Sequence, residues 1–402
     1  MDISDVSSPA LPITPPCTHS PLPYHRDIVT LLRASEPEIW AWGLAQQANP
    51  ESLKEARSAM LRNTYRLEAE SHPKVHAQCA KAMEALNLSA PVTLYQAADG
   101  NMNAALFFMP GEIHLVFYGP ILEKLSDDEL LALMGHELAH YKLWTADEGV
   151  FHVASRLFDH TLAYQGAAAS HAETARLLAL HTELYADRGA ALAVGQCGPA
   201  ISLLVKTMTG LAKVDPDSYL RQAQELDLEA AKSTGTSHPE HFVRAQALDK
   251  WWRGDGDTES WIESRLSGPW SMTALDLPRQ RRLTQVTRAF LTHFLIGQTP
   301  VNEAVLAQVR HFFPDFAPDA APGENLPAFY AGIDDSLRDY FIALICDLAM
   351  ADPEHRDTLL LAGARAARDF AGLENYRAAL KRDLKLTKPA IDKLLARLGK
   401  EP

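Results

Sequence analysis

The sequence predicts a mostly α-helical protein of the α+β class: a first domain containing one small β-sheet, followed by an all-α C-terminal domain. Three observations carry that expectation. Apolar residues recur at three- and four-residue spacing over most of the chain, as in helices with one buried face. Between Pro91 and Gly119 the pattern changes to short runs rich in aromatic and β-branched residues, separated by turn residues. At 402 residues the chain is also too long for one small core, so two domains are expected.

Residues 1–24 read as an extended, proline-rich, poorly ordered tail. Six of the first 23 residues are proline, and there is no basic start or apolar run to make a secretory signal. From His25 to about Leu88 the pattern is helical, as in "LKEARSAMLRNTYRLEAE" and "KVHAQCAKAMEALNL". "VTLYQA", "NAALFFM" and "IHLVFYG" then read as strands, with a hairpin across Pro110-Gly111. Helices resume near Asp127, where Ser126 stands three residues before Glu129 in the spacing of a capping box. Ser170 and Glu173 repeat that spacing ahead of a long helix that Gly195 is placed to stop. Beyond the "WWRGDGD" turn the chain is helical by pattern from Arg282 to its end, punctuated by loops at 313–325 and at Lys388-Pro389. The domains predicted are therefore 25–270 and 271–402.

A net charge of −13 argues against nucleic acid or an anionic membrane as partner, since both call for a basic face. The longest uncharged stretch, Gly189 to Val205, is broken at Gly195–Pro199 and is too short to span a bilayer. Cys17, Cys79, Cys197 and Cys346 are widely spaced and form no framework, which suits a reducing compartment. The chain reads as cytoplasmic.

The chemistry centres on "GHELAHYKL". A His-Glu-x-x-His match arises by accident in a chain of this composition about one time in twenty-five, so context has to decide. His136 and His140 project from one helix face, one turn apart, where two imidazoles can reach a single ion. Glu137 lies about 100° round the helix, near enough to take a proton from a water beside that ion. A metal needs a third protein ligand. The extended motif that adds a glycine and a third histidine is excluded, because Leu143 and Ala146 hold those positions. Glu148 is too close in sequence, and Glu173 belongs to a first turn. Glu183, in the middle of "HTELYADRGA", is the candidate, and Asp187 follows one turn later on the same face. Asp187 either orients a ligand histidine through its other ring nitrogen or forms an ion pair with Arg188 or another base.

"NAALFFMPGEIHLVFYGPILEKLSDDELLALMGHELAHYKL", followed by "ELYADRGA" and "SHPEHFVRAQAL", resembles the M48 family of zinc metallopeptidases, which includes the CAAX prenyl protease and the HtpX-type membrane proteases. The resemblance runs from about Val75 to Trp251. It implies a gluzincin-type domain binding one Zn2+ through His136, His140 and Glu183, with Glu137 as general base. It also implies an edge strand at Asn103-Ala104 that aligns substrate. His238 would face the active site, either donating to the oxyanion or, in a resting state, approaching the open metal position. Arg244 is expected to be brought back toward the cleft by a helix whose first turn contains Pro239, and to pair with Asp187 or Glu183; His241 is expected on the surface. The implied activity is that of an endopeptidase acting on protein or peptide substrates. The alternative is a catalytically silent zinc-binding relative serving as a protein-binding or chaperone-like module. Many family members place membrane segments around the catalytic helices, and this chain shows none. "YFIALICDLAMADPEHRD" resembles helical TerB-like domains, which implies a docking or regulatory role with a possible regulatory partner; Asp347, Asp352 and Glu354 are expected to cap and solvate helices. Cys17 reads as a free cysteine of the tail, with a latency-imposing metal ligand as the alternative.

Overall fold

The computed structural model describes residues 19–46, 50–98, 100, 102–227, 232–296, 302–317 and 325–398. Cys17 and the proline-rich stretch up to residue 18 lie outside the described residues. The chain divides into two compact units, one formed by Met1–Ala167 with Ala175–Gly268, the other by Ala168–Thr174 with Pro269–Pro402.

In the first unit, helices α1 (Pro23–Ser35), α2 (Pro37–Ala45) and α3 (Pro50–Asn63) lead to strand β1 (Thr64–Arg66), helix α4 (Pro73–Ala85) and strands β2 (Val92–Ala97), β3 (Asn103–Met109) and β4 (Glu112–Tyr118). Then follow α5 (Ile121–Lys124), α6 (Asp127–Thr145), a 3-10 turn at Ala146–Gly149, α7 (Val150–Leu162), α8 (Ala169–Val194, in this unit from Ala175 onward), α9 (Gly198–Thr209), α10 (Pro216–Asp227), α11 (His241–Arg253) and α12 (Thr258–Leu266). The sheet order is β1-β2-β4-β3. β4 is central and almost wholly buried, pairing parallel to β2 and antiparallel to β3. β3 is an edge strand joined to β4 through the Pro110-Gly111 turn, where Gly111 takes φ +82° at no steric cost.

Three sequence expectations need correction here. The helix expected over "LKEARSAMLRNTYRLEAE" ends at Asn63, and Thr64–Arg66 pairs antiparallel with β2 instead. Thr and Tyr favour a strand, but three residues are too few to show alternation in the sequence. The tail ends earlier than residue 24: Leu22 is buried, and His19 stacks on Tyr185 at 4.0 Å. Pro23 opens α1, a position its fixed φ favours, and the Leu22 N–H donates to His25 Nδ1 at 3.1 Å. Finally, α8 begins at Ala169, so Ser170 sits inside its first turn and the Ala168 carbonyl accepts from His171 and Ala172. The Ser126–Glu129 box does form, with Ser126 N donating to Glu129 Oε2 at 2.8 Å and Glu129 N to Ser126 Oγ at 3.3 Å. Gly195, at φ +78°, ends α8.

Helices α6 and α8 cross in direct backbone contact. A Cβ on Gly135 would meet Ala193 Cβ at 2.5 Å and the Gly189 carbonyl at 2.7 Å, and one on Gly189 would collide with Ala139 Cβ. Glycine at both positions removes that obstacle and brings the polar faces of the two helices together.

The second unit is helical, with α13 (Leu277–Ile296), α14 (Glu303–Phe312), α15 (Leu326–Tyr330), α16 (Asp335–Ala351), α17 (Arg356–Asp369), α18 (Leu373–Arg382) and α19 (Lys388–Leu395). Phe290, Phe341, Phe370 and Tyr376 anchor its own core. Asp352 is buried, not solvated: it accepts the His355 N–H at 3.2 Å and lies 2.9 Å from His355 Nδ1. Lys388-Pro389 opens α19 after Thr387 and is not a loop. No helix among the described residues is long and apolar enough to cross a membrane.

Candidate metal centre

Helix α6 is buried along nearly its whole length, and it carries His136, Glu137 and His140 into a cleft of about 630 Å³. α8 brings Glu183 and Asp187 to the same point from the opposite wall. His136 Nε2 lies 3.3 Å from His140 Nε2 and 3.5 Å from Glu183 Oε2, while His140 Nε2 lies 3.6 Å from Glu183 Oε1. Ligands about 2.0–2.1 Å from a common centre at tetrahedral angles stand about 3.3–3.4 Å apart, so this triangle has the size a zinc ion requires. Glu183 Oε2 is buried and makes no hydrogen bond among the described residues, although the Arg244 guanidinium is 3.2 Å away. Buried nitrogen and oxygen atoms turned toward one point fit a divalent cation.

The surrounding charges hold that triangle in register. Asp187 Oδ1 lies 3.1 Å from His136 Nδ1, which fixes the tautomer: Nδ1 carries the proton and Nε2 keeps its lone pair facing the centre. Arg244 of α11 grips the same carboxylate in a fork, Nε to Oδ2 at 2.8 Å and Nη2 to Oδ1 at 2.7 Å. Burial alone would push the Asp187 carboxyl up, but Arg244 and His136 hold it far below the usual carboxylate range. Glu183 is likewise held low against the effect of burial, by Arg244 first and then by the histidines. Burial lowers His140 to about 4. Glu137 moves the other way: its carboxyl is raised, chiefly because it is buried, while His136 and a backbone hydrogen bond from Leu106 of β3 oppose the rise.

Asp187 fills both roles open to it, orienting His136 and pairing with another base, Arg244, rather than with Arg188. Arg188 turns instead to Glu259, 2.9 Å from its Nη2, and lies over the Trp251 ring. Asn103 and Ala104 open β3 and line the cleft. His238 is largely exposed, with Nε2 3.5 Å from Glu183 Oε1 and Nδ1 2.9 Å from Ser237 Oγ. Pro239 lies ahead of α11 and not within its first turn, since Glu240 is the N-cap and its carboxylate is engaged by Thr234. His241, expected on the surface, is half-buried and lines the cleft, and its pKa is lowered by burial and by Arg244. Trp144 also lines the cleft and was not anticipated. The available signal was its place four residues after His140, on the ligand face of α6.

A buried His-x-x-x-His pair with a carboxylate from a second helix is a group that could hold a metal ion. Residues 69–252 match peptidase family M48. Two curated relatives agree. The plastoglobule-localized metallopeptidase 48, chloroplastic, of Arabidopsis thaliana is 27% identical over 199 residues, covering 44% of this chain and 57% of that protein. The CAAX prenyl protease 1 homolog of Dictyostelium discoideum is 44% identical over 45 residues, 11% of each chain. The chain thus spans little more than half of the first relative and about a tenth of the second. No solved structure matches it.

Proposed function

We propose that this chain is a zinc-dependent endopeptidase that hydrolyses peptide bonds of protein substrates. The observation that carries the reading is the converging triangle of His136, His140 and Glu183 beside Glu137, a buried carboxylate that is not part of it. A zinc ion held by those three residues supplies Lewis acidity toward a water and the scissile carbonyl. Glu137, its proton affinity raised by burial, takes the proton of the attacking water as the oxygen bonds to the carbonyl carbon. It then delivers that proton to the amine nitrogen as the C–N bond breaks. His238, whose Nε2 lies 3.5 Å from Glu183 Oε1, would donate toward the developing oxyanion, where one preorganised donor contributes about 2.7–4 kcal/mol. Asp187 and Arg244 touch no substrate; they hold His136 and Glu183 in position. The open edge of β3 at Asn103-Ala104 aligns the substrate as an added strand. A reducing compartment such as the cytoplasm is the proposed setting, supported by the free, well-separated Cys79, Cys197 and Cys346.

Metal analysis and peptide cleavage by untagged protein test the reading together. About one zinc per chain is expected. Glu137→Gln should keep that zinc and lose about 10²- to 10⁴-fold or more in turnover. Glu183→Ala should lose zinc as well as activity. Full turnover by zinc-replete Glu137→Gln would sink the assignment. A zinc protein that binds unfolded polypeptide and cleaves none would instead be a silent member of the family.

A further inference from the structure

A second cavity, of about 420 Å³, opens beside the cleft just described. The two share one residue, Trp144, which lines both and stands one helical turn beyond His140. They also share a strand. Met102 through Leu106 line the first cavity and Phe108 the second. Met109 packs on the opposite sheet face with Met60, Tyr95 and Val116, so strand alternation turns Phe108 toward α6. Its ring lies 5.5 Å from Trp144 and 4.3 Å from His152. Asp147, Glu148 and Gly149, at φ +49°, +62° and +83°, reverse the chain after α6 and carry His152 of α7 back onto that ring. Two consecutive non-glycine residues in left-handed conformation are a strained arrangement, and here they close an aromatic wall. Burial holds the His152 ring down to about 4, so it is neutral near pH 7 and behaves as part of the apolar lining. Leu53 of α3 completes the other side.

The strand geometry says what reaches this cavity. Met109 and Glu112 flank a two-residue turn and so exchange hydrogen bonds, as do alternate pairs back along β3. Ala104, Leu106 and Phe108 therefore turn their backbone groups to the open edge, and Leu106 already meets Glu137 there. A peptide added antiparallel to that edge has its N-terminal part running toward the hairpin. Phe108 is two residues beyond Leu106, about 7 Å at strand rise. Added strands present every second side chain to the same face.

We infer that the Phe108–Trp144–His152 cavity is a second substrate subsite, one that takes a large apolar or aromatic side chain two to four residues before the scissile bond. The inference rests on the peptidase reading for its register, not for its existence as a binding site. The volume falls within the roughly 300–1,000 Å³ of small-ligand pockets, and burying one such side chain in place of alanine should change affinity about tenfold or more.

The test uses quenched-fluorescence peptides in which a single Phe is moved through an alanine-, serine- and lysine-containing background. Cleavage by zinc-loaded wild type is measured beside binding to zinc-loaded Glu137→Gln. Phe at one position on the N-terminal side should raise kcat/KM and tighten binding about tenfold or more over Ala. Leu53→Trp, which fills the cavity, should bring both ratios near one, and Leu53→Met should preserve them. Uniform cleavage at all positions, or a preference that survives Leu53→Trp in a folded protein, overturns the subsite while leaving the peptidase reading intact. A binding preference without any cleavage by wild type would leave the subsite standing and remove the peptidase reading. Absence of both refutes the subsite.

Discussion

Arg244 is the residue on which the charge balance of the centre turns. It is buried, it lies 3.2 Å from Glu183 and 2.7 Å from Asp187, and both carboxylates are buried with it. Arg244→Leu leaves two buried anions without their cation, and removal of one partner of such a cluster costs about 3–5 kcal/mol. Denaturant unfolding should show that loss, and Arg244→Lys should recover only part of it, because an ammonium cannot reproduce the two-pronged grip. Stability within error of wild type for Arg244→Leu would refute this account. The residues differ in how legible they were. His136, Glu137 and His140 announce themselves by spacing, and Glu183 by the cost of an acid in an apolar helix. Arg244 emerged only through resemblance, because 57 residues separate it from Asp187 and local pattern carries nothing across that distance. Arg188 was the tempting partner, yet adjacent helical residues point about 100° apart, and it faces Glu259 instead.

At the scale of elements, the α6–α8 crossing decides whether the two halves of the ligand set meet. Gly189→Val places a branched side chain against Ala139 and the Gly135 carbonyl, where a Cβ alone already stands 3.0 Å from that oxygen. The helices must separate, and overpacking of this kind costs about 1–3 kcal/mol. Because His136 and Glu183 sit on opposite helices, zinc affinity in a chelator competition should fall by more than tenfold while Glu137 chemistry remains intact in whatever fraction is loaded. Unchanged affinity would show that the contact is not what sets the spacing. The strands β2 and β3 were read from the sequence at their full lengths, since aromatic and β-branched runs bounded by turns leave little choice. β1 escaped notice because three residues carry no period. The start of α8 was misplaced because Ser170 and Glu173, in capping-box spacing, both lie inside the helix that begins at Ala169.

For the molecule as a whole, His181 of α8 and the histidines packed near it, His19 and His25, predict how stability follows pH. Burial lowers His19 to about 4 and His181 to about 3, and His25 is also held well down. Once unfolded, each regains an affinity for protons near pH 6.5. The unfolded chain then binds more protons than the folded one, so stability declines as pH falls from about 6.5 toward 4. His19→Phe keeps a ring against Tyr185 and should remove about 1–2 kcal/mol of the loss seen between pH 7 and pH 5. Urea unfolding at the two pH values checks this, and an unaltered slope would refute it. None of this could be read beforehand. A histidine beside a proline-rich stretch carries no mark of being buried, and only the folded helix α8 gives it a partner.

The distribution of the centre along the chain has a consequence for biosynthesis. The two histidines leave the ribosome first, Glu183 and Asp187 after the whole of α7 and half of α8, and Arg244 last. Until that arginine emerges, folding α6 against α8 would bury carboxylates with no permanent counter-charge, so a nascent chain arrested anywhere before α11 gains little by closing the cleft. The charge-balanced centre is therefore completed late in synthesis, only when α11 follows most of the first unit out of the exit tunnel.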